Sequence, residues 1–431
     1  MPDARNQDAI IYHRRFLAWW GIALYLFQLR SRRQLDFALD ADDTFVLDNL
    51  NRLAETEQTT RPVHDTLDYF LGGLTPPPLS ALNVQMVRRL MRMKVLDSAR
   101  LLGHWVVPVD GTGVLCFHRR HCPHCLVQKH GDTTLYLHQV LEAKLLGPAG
   151  VVLSIGTECI QNEDAGPVQT KSAEERKQDC ELKAFERLAP HIKAAFPQAH
   201  LVISGDNLFA CGRVLDICKS NEWNFVLVFK EGRMPALFGE YESLLRLHPQ
   251  NCLERQDEDA TRVYRWVKDL WYEDSAKRRW TLHALECVET TKDSVTKRFV
   301  WLTRLPVSAK NVEAIAWKGG RYRWKMENEG FIRQKNSGLN LEHVYSTDPE
   351  KWKAYYYLLQ IAFILIQLLE RGSLLRRMAQ QRGKKSAVHL FGSLKNIAER
   401  LLESVRNRIW PAASYDAQQA ARIHISLVDS S

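Results

Sequence analysis

Residues 105–113 read Trp105-Val106-Val107-Pro108-Val109-Asp110-Gly111-Thr112-Gly113. Apolar residues run into an aspartate and glycines follow at once, the pattern of a short buried strand bounded by turn formers. The pattern returns as Leu201-Val202-Ile203-Ser204-Gly205-Asp206-Asn207. Two neighbouring strands that each end in an aspartate place two carboxylates side by side. Such a pair repels itself unless a cation sits between the charges. A strand-end aspartate also caps the turn or helix that follows it, so either residue alone has a plain structural role open to it.

Outward from this stretch, residues 133–144 (TTLYLHQVLEAK) partly alternate and predict a second strand, and 151–155 a third. Residues 172–196, rich in Glu and Lys and stopped by Pro197, predict a helix. A fourth strand over 201–205, a helix over 207–220 and a fifth strand over 224–229 follow. Three strands, a helix, a strand, a helix and a strand resemble the order of an RNase H-like α/β domain, which gathers acids from strand ends and from one helix. The expected fold class is therefore α/β: an RNase H-like mixed sheet with flanking helices, a β-rich insertion, and helical N- and C-terminal regions.

The divisions expected along the chain are five. Residues 1–100 form a helical N-terminal DNA-binding region, with Pro76-Pro77-Pro78 as a break. A long helix over 79–102 then carries Arg88, Arg89, Arg92 and Lys94 on or near its exposed side. A helix-turn-helix reader and a plain bundle with a solvated basic face both fit this region. Residues 101–234 form the first part of the core. Residues 235–320 form a β-rich insertion whose strands (262–267, 279–285, 298–303) interleave aromatic and β-branched residues with Arg and Lys. Its tryptophans, Trp280 and Trp301 among them, either stack on nucleic acid or fill a small core. Residues 321–378 complete the core, and 379–431 are a helical C-terminal region.

At 431 residues the chain can bury substantial cores, and 45% hydrophobic with 25% charged residues is ordinary for a globular protein. A net charge of +9 suits a polyanionic partner. Nine cysteines in a chain this long do not make a disulfide scaffold, which favours a reducing, cytoplasmic setting. The apolar runs 16–29 and 355–369 are shorter than the about 20 apolar residues that cross a bilayer. Both are expected as core helices, with no membrane partner. One close pair of cysteines stands out, in His121-Cys122-Pro123-His124-Cys125, flanked by Cys116, His118 and His130. Cys122, Cys125, His121 and His118 could chelate Zn²⁺. The other reading is a polar loop facing DNA or solvent, with His138 an ordinary strand residue.

A third acid comes from Arg321-Tyr322-Arg323-Trp324-Lys325-Met326-Glu327-Asn328-Glu329. On a helix, Arg323, Glu327, Phe331 and Lys335 would follow one another at intervals of four, on one face. Here the sequence resembles the DDE transposases of bacterial insertion sequences, the cut-and-paste type with an RNase H-like core, over roughly residues 100–370. Asp110 in VDGT stands for the first acid, Asp206 in SGDNLF for the second and Glu327 in RWKME for the third. Glu329 is the competing third acid. In the family pattern of Tyr, two residues, Arg, three residues, Glu, six residues, Lys, both Arg323 and Glu327 match. Gly320 and Gln334 fall at the Tyr and Lys positions, with Tyr322 and Lys335 nearby.

The resemblance implies two Mg²⁺ (or Mn²⁺) ions held by Asp110, Asp206 and Glu327, with Asp110 bridging. Two such ions about 3.5–4 Å apart relieve the repulsion between a nucleophile and a phosphodiester. Water would free a 3′-OH at a transposon end, and that hydroxyl would attack target DNA. Arg323, Lys335 and Tyr322 would hold phosphates, Trp301 or Trp280 could stack on a flipped base, and a homodimer would pair two ends of double-stranded DNA. The alternatives are an RNase H-like nuclease without strand transfer and a non-catalytic DNA-binding regulator.

Overall fold

The structure, a computed structural model, describes residues 5, 10–39, 45–74, 76–162, 178–410 and 427. A ten-stranded mixed sheet runs through it, flanked by helices, so the α/β class expected from the sequence holds.

Three strands open the sheet: β1 (Trp105–Phe117), β2 (Leu126–His130) and β3 (Thr133–Leu146). The far edge of β3 is shared by β2 and by β4 (Val152–Ile160), all antiparallel. On its other side β1 turns parallel partner to β5 (Leu201–Gly205), and β5 to β6 (Asn224–Val228). These central strands are continuous apolar runs because both faces are covered. One face carries Val107, Val109, Leu201 and Ile203 in a core with Phe185, Leu188 and Ile192. These last three belong to a helix over Glu181–Ala195. The first residues of the helix expected over 172–196, namely 172–177, lie outside the described residues.

The β-rich stretch forms four strands over Cys252–Gln256, Ala260–Glu273, Arg279–Thr291 and Thr296–Thr303. They are hydrogen-bonded onto the central sheet, because the last of them pairs antiparallel with β6 (Trp301↔Val228, Thr303↔Val226). The sheet thus continues across what the sequence suggested as an insertion. Trp301 is only 3% exposed and Trp280 only 7%, so both are core residues and neither ring is open to a base. That corrects the stacking role expected of Trp301. Its ring lies where a Cβ on Gly320 would collide with it, so glycine there lets backbone and indole close-pack. The aromatic on these strands that does face solvent is Trp271, 65% exposed.

The helices begin with α1 (Arg14–Leu26), α2 (Arg32–Leu39), α3 (Val46–Ala54), α4 (His64–Gly72) and α5 (Pro76–Arg92). The three prolines do not break the chain. They form the first turn of α5, where a missing N–H costs nothing. The helix expected over 79–102 stops at Arg92, and Lys94 takes the left-handed conformation (φ 58°). Arg88, Arg89, Arg92 and Lys94 are all exposed. The helix over Lys351–Arg371 is apolar nearly all round and lies in the core, packed by α1, α4 and α5. Among the described residues it is the one helix long and apolar enough to cross a membrane, yet it is mostly buried here. Each large apolar side chain it buries is worth about 1.5–3 kcal/mol.

Between this helix and the sheet sits a buried polar knot. Lys144 and Glu142 are both fully buried, with Nζ 3.3 Å from the carboxylate. Tyr356 OH donates to Glu142 at 2.7 Å, Thr157 donates to it too, and Lys144 donates to Gln360 at 3.2 Å. Removing one partner of such a pair strands the other charge. Lys144→Met should therefore cost about 3–5 kcal/mol in urea unfolding, and adding Glu142→Gln should restore most of it. A loss under ~1 kcal/mol in the single variant would mean that the pair is wetter than its burial implies.

Candidate active site

The two aspartates meet through strand register. The last parallel pair between β1 and β5 is Pro108↔Ser204. Asp110 lies two residues past that pair on β1, and Asp206 two residues past it, immediately beyond the end of β5. Asp206 closes β5 and caps the short turn Asn207–Phe209, accepting from Leu208 N at 2.8 Å. It therefore has the plain capping role as well. Asp110 does not end its strand. β1 runs on to Phe117, paired to β3 with Asp110 opposite Glu142, and only its pairing with β5 stops short of the aspartate. Asp110 accepts from Gly111 N at 3.1 Å, and its other oxygen accepts from Arg323 Nη1 at 2.7 Å.

Glu327 arrives on a helical run that starts at Val312 and ends at Asn336. The run is not a regular α-helix. It widens into π-helical turns over Ile315–Gly320 and Met326–Ile332, with a tight turn over Arg321–Arg323 between them. Such turns are rare and concentrate at functional sites. They also upset the four-residue spacing, since Glu327 is exposed while Phe331 is fully buried. The expectation that these residues share one face is corrected accordingly. Ser204 Oγ donates to Gly319 O at 2.7 Å in the interior and ties the run to β5.

The charges of Asp206 and Glu327 both act on Asp110. Its carboxyl is pushed up from the ordinary range, chiefly by burial, with Arg323 opposing and the two acids adding to the rise. Among the described residues Glu327 has no hydrogen-bond or ion-pair partner. Glu329, the competing acid, is taken by Arg371 at 2.6 Å and Arg333 at 3.7 Å, and Arg333 also holds Glu370 at 2.6 Å. The structure thus separates two acids that look alike in sequence.

A fourth acid joins them that sequence reasoning missed. Glu181 is the first residue of its helix, and its carboxyl is pushed up to about 7 by burial and by the charges of Asp110 and Asp206. A Cβ on Gly111 would strike the Glu181 carboxylate, so the glycine of the DG pair makes the room. The available signal was an acid in a first helical turn, which any helix favours, so nothing set Glu181 apart.

Asp110, Asp206, Glu181 and Glu327, with Arg323 paired to Asp110, form a donor set of a kind that suits a hard divalent cation. They are not drawn tightly together. Among the described residues, the group of three or more ligand residues whose donor atoms all lie within 4.8 Å is elsewhere, at His121, Cys122, Cys125 and His138.

A pH dependence follows from Glu181. Unfolded, it ionises near 4.5; folded, near 7. The folded chain holds the extra proton between those values, so this group's share of stability is full below pH 4.5 and is lost as pH rises through 7. After allowance for solvent screening the loss is about 1–2 kcal/mol. In Mg²⁺-free buffer Glu181→Gln should therefore unfold later than the parent at pH 8 and alike at pH 4.5. Equal shifts at both pH values would show that Glu181 ionises normally.

Of the residues expected to hold phosphate, Arg323 lies in the centre. Lys335 pairs with Glu342 at 2.9 Å, and Tyr322 lies under the Lys325 ammonium at 3.8 Å. At the Cys-rich loop, His118 is exposed and stands outside the cluster, while His138 of β3 is buried within it. The expected ligand set is corrected in that one member. No protein-family model matches the chain, and no curated protein matches it, so the carboxylate centre is read from its own chemistry.

Proposed function

We propose that the protein is a DNA strand-cleaving and strand-joining enzyme of the DDE transposase kind, with Asp110, Asp206 and Glu327 as its acids. One observation carries the reading: two acids that each follow the last pair of adjacent parallel strands by two residues, with the charge of a third, from a helical run more than a hundred residues later, acting on the first of them. The order β1, β3, β4, helix, β5, helix, β6 also supports it, since an RNase H-like core is expected to have that order.

When bound, a pair of hard cations would supply Lewis acidity and an activated oxygen nucleophile. The chain's own part is to provide the carboxylate oxygens that hold such ions. Glu181 adds a fourth carboxyl to the same field. Arg323, 27% exposed beside Asp110, has the fork geometry to grip a phosphate of the scissile strand. Exposed Arg88, Arg89, Arg92 and Lys94 offer cations to the DNA backbone. Trp271 and the partly exposed Trp324 offer rings to an unstacked base.

The test is a supercoiled plasmid carrying the DNA that flanks the gene, incubated with the full chain and Mg²⁺ or Mn²⁺. Cut and rejoined products support the reading. Cutting without joining would make the protein a nuclease, and a mobility shift without cutting would make it a binding factor.

A further inference from the structure

We propose that His121, Cys122, Cys125 and His138 form a structural Zn²⁺ site that pins the β1–β2 connection to the strand it crosses. β1 and β2 lie on opposite sides of β3, so residues 118–125 must pass over that strand. His138 sits beneath the crossing, opposite Leu115 of β1, and is 1% exposed. Cys122 and Cys125, 6% and 0% exposed, descend onto it from the loop.

Cys122, Cys125 and His138 have the spacing of three corners of a tetrahedral site, and His121 stands within reach of the fourth. Zn–S bonds of about 2.3 Å and Zn–N bonds of about 2.0–2.1 Å place donor atoms about 3.8 Å (S···S), 3.5 Å (S···N) and 3.3 Å (N···N) apart. Here the two sulfurs are 3.5 Å apart. His138 Nε2 lies 3.3 Å from Cys122 Sγ and 3.7 Å from Cys125 Sγ. His121 supplies the fourth donor through one ring nitrogen: its Nδ1 lies 3.4 Å from Cys125 Sγ and its Nε2 3.2 Å from His138 Nε2, and one donor atom from each of the four residues lies within 4.8 Å of the others. A disulfide would need the sulfurs at about 2.05 Å.

Thiolate and imidazole are soft and borderline donors, the set that selects Zn²⁺ over Mg²⁺. Four protein donors leave no open position, which makes the site structural and not catalytic. Binding releases the two thiol protons to solvent. Around the cluster the loop is already braced. Asn162 donates to Cys125 O at 2.9 Å, His124 Nδ1 lies 2.9 Å from Asn162 O, and Trp352 packs on the His138 ring at 5.4 Å. The metal would thus join the sheet's hairpin end to the long core helix that carries Trp352.

The experiment uses the full chain without a histidine tag, purified without chelators. Elemental analysis should find about one zinc per chain, and X-ray absorption at the zinc edge should find a shell of two sulfurs and two nitrogens. Cys122→Ser and His138→Ala should each bring the content to under about a tenth of that, while His118→Ala and Asp110→Asn keep it. Less than about 0.1 zinc per folded parent chain, a shell of oxygens only, or a Cys122–Cys125 disulfide found by mass spectrometry would each overturn the proposal. The parent measurement needs no variant to fold. The acid centre plays no part in it, so failure here leaves the proposed activity standing.

Discussion

Asp110→Asn should lower plasmid cleavage by ~10³-fold or more while DNA binding stays within about twofold. The acid lies at the meeting point of β1, β5 and the Glu327 run, and its two oxygens are the ones that could serve two cations at once. An amide offers one neutral oxygen and an N–H₂ that repels a cation. Losing a divalent ion's charge stabilisation is worth several kcal/mol of barrier, and ~4 kcal/mol is a thousandfold. The fold should not suffer. The substitution removes one part-buried ion pair with Arg323 but also the cost of burying the Asp110 charge and its repulsion of Glu181. Cleavage, a filter-binding constant and a melting curve on the same preparation decide the matter. If cleavage and binding fall together while the melting point drops, Asp110 is holding the strand and not the chemistry.

The second large effect is a contrast between two neighbours. Glu327→Gln should cost cleavage at least ~10²-fold and leave unfolding unchanged, since Glu327 is exposed and has no partner among the described residues. Glu329→Gln should do the reverse. It weakens the tie between the helical run and Arg371, and Arg333 keeps only Glu370. These groups are largely buried, so a stability loss of about 1–3 kcal/mol is expected with cleavage near the parent rate. Were Glu329→Gln to stop cleavage with unchanged stability, and Glu327→Gln to cut normally, the two assignments would have to be exchanged.

Much of this centre could be read in advance. The runs before Asp110 and Asp206 are short, apolar and bounded by glycine, and strands of that kind announce themselves locally. Their acids followed as a matter of position. Glu327 was preferred to Glu329 by resemblance, and nothing in the local pattern could show that Arg371, forty-two residues later, would occupy Glu329. The histidine of the Cys-rich loop was misassigned for a similar reason. His118 is near in sequence, whereas His138 is brought under the loop by the pairing of β1 and β2 with β3. For Trp301 the local pattern left stacking and burial both open, and the pairing of its strand with β6 and the cover of Gly320 decide for burial.

The sequence by itself determined the α/β class, the central strands and the chemical kinds present: hard carboxylates after apolar runs, soft donors in one loop, cations on exposed faces. Those follow from side-chain periodicity and turn chemistry, which act over a few residues. Only the tertiary structure decided which of them meet. The parallel register of β1 with β5, the π-helical turns that expose Glu327, the entry of Glu181 beside Gly111 and the burial of His138 beneath the loop all depend on contacts between distant segments. Their free energy comes from packing many residues at once, and no local pattern records it.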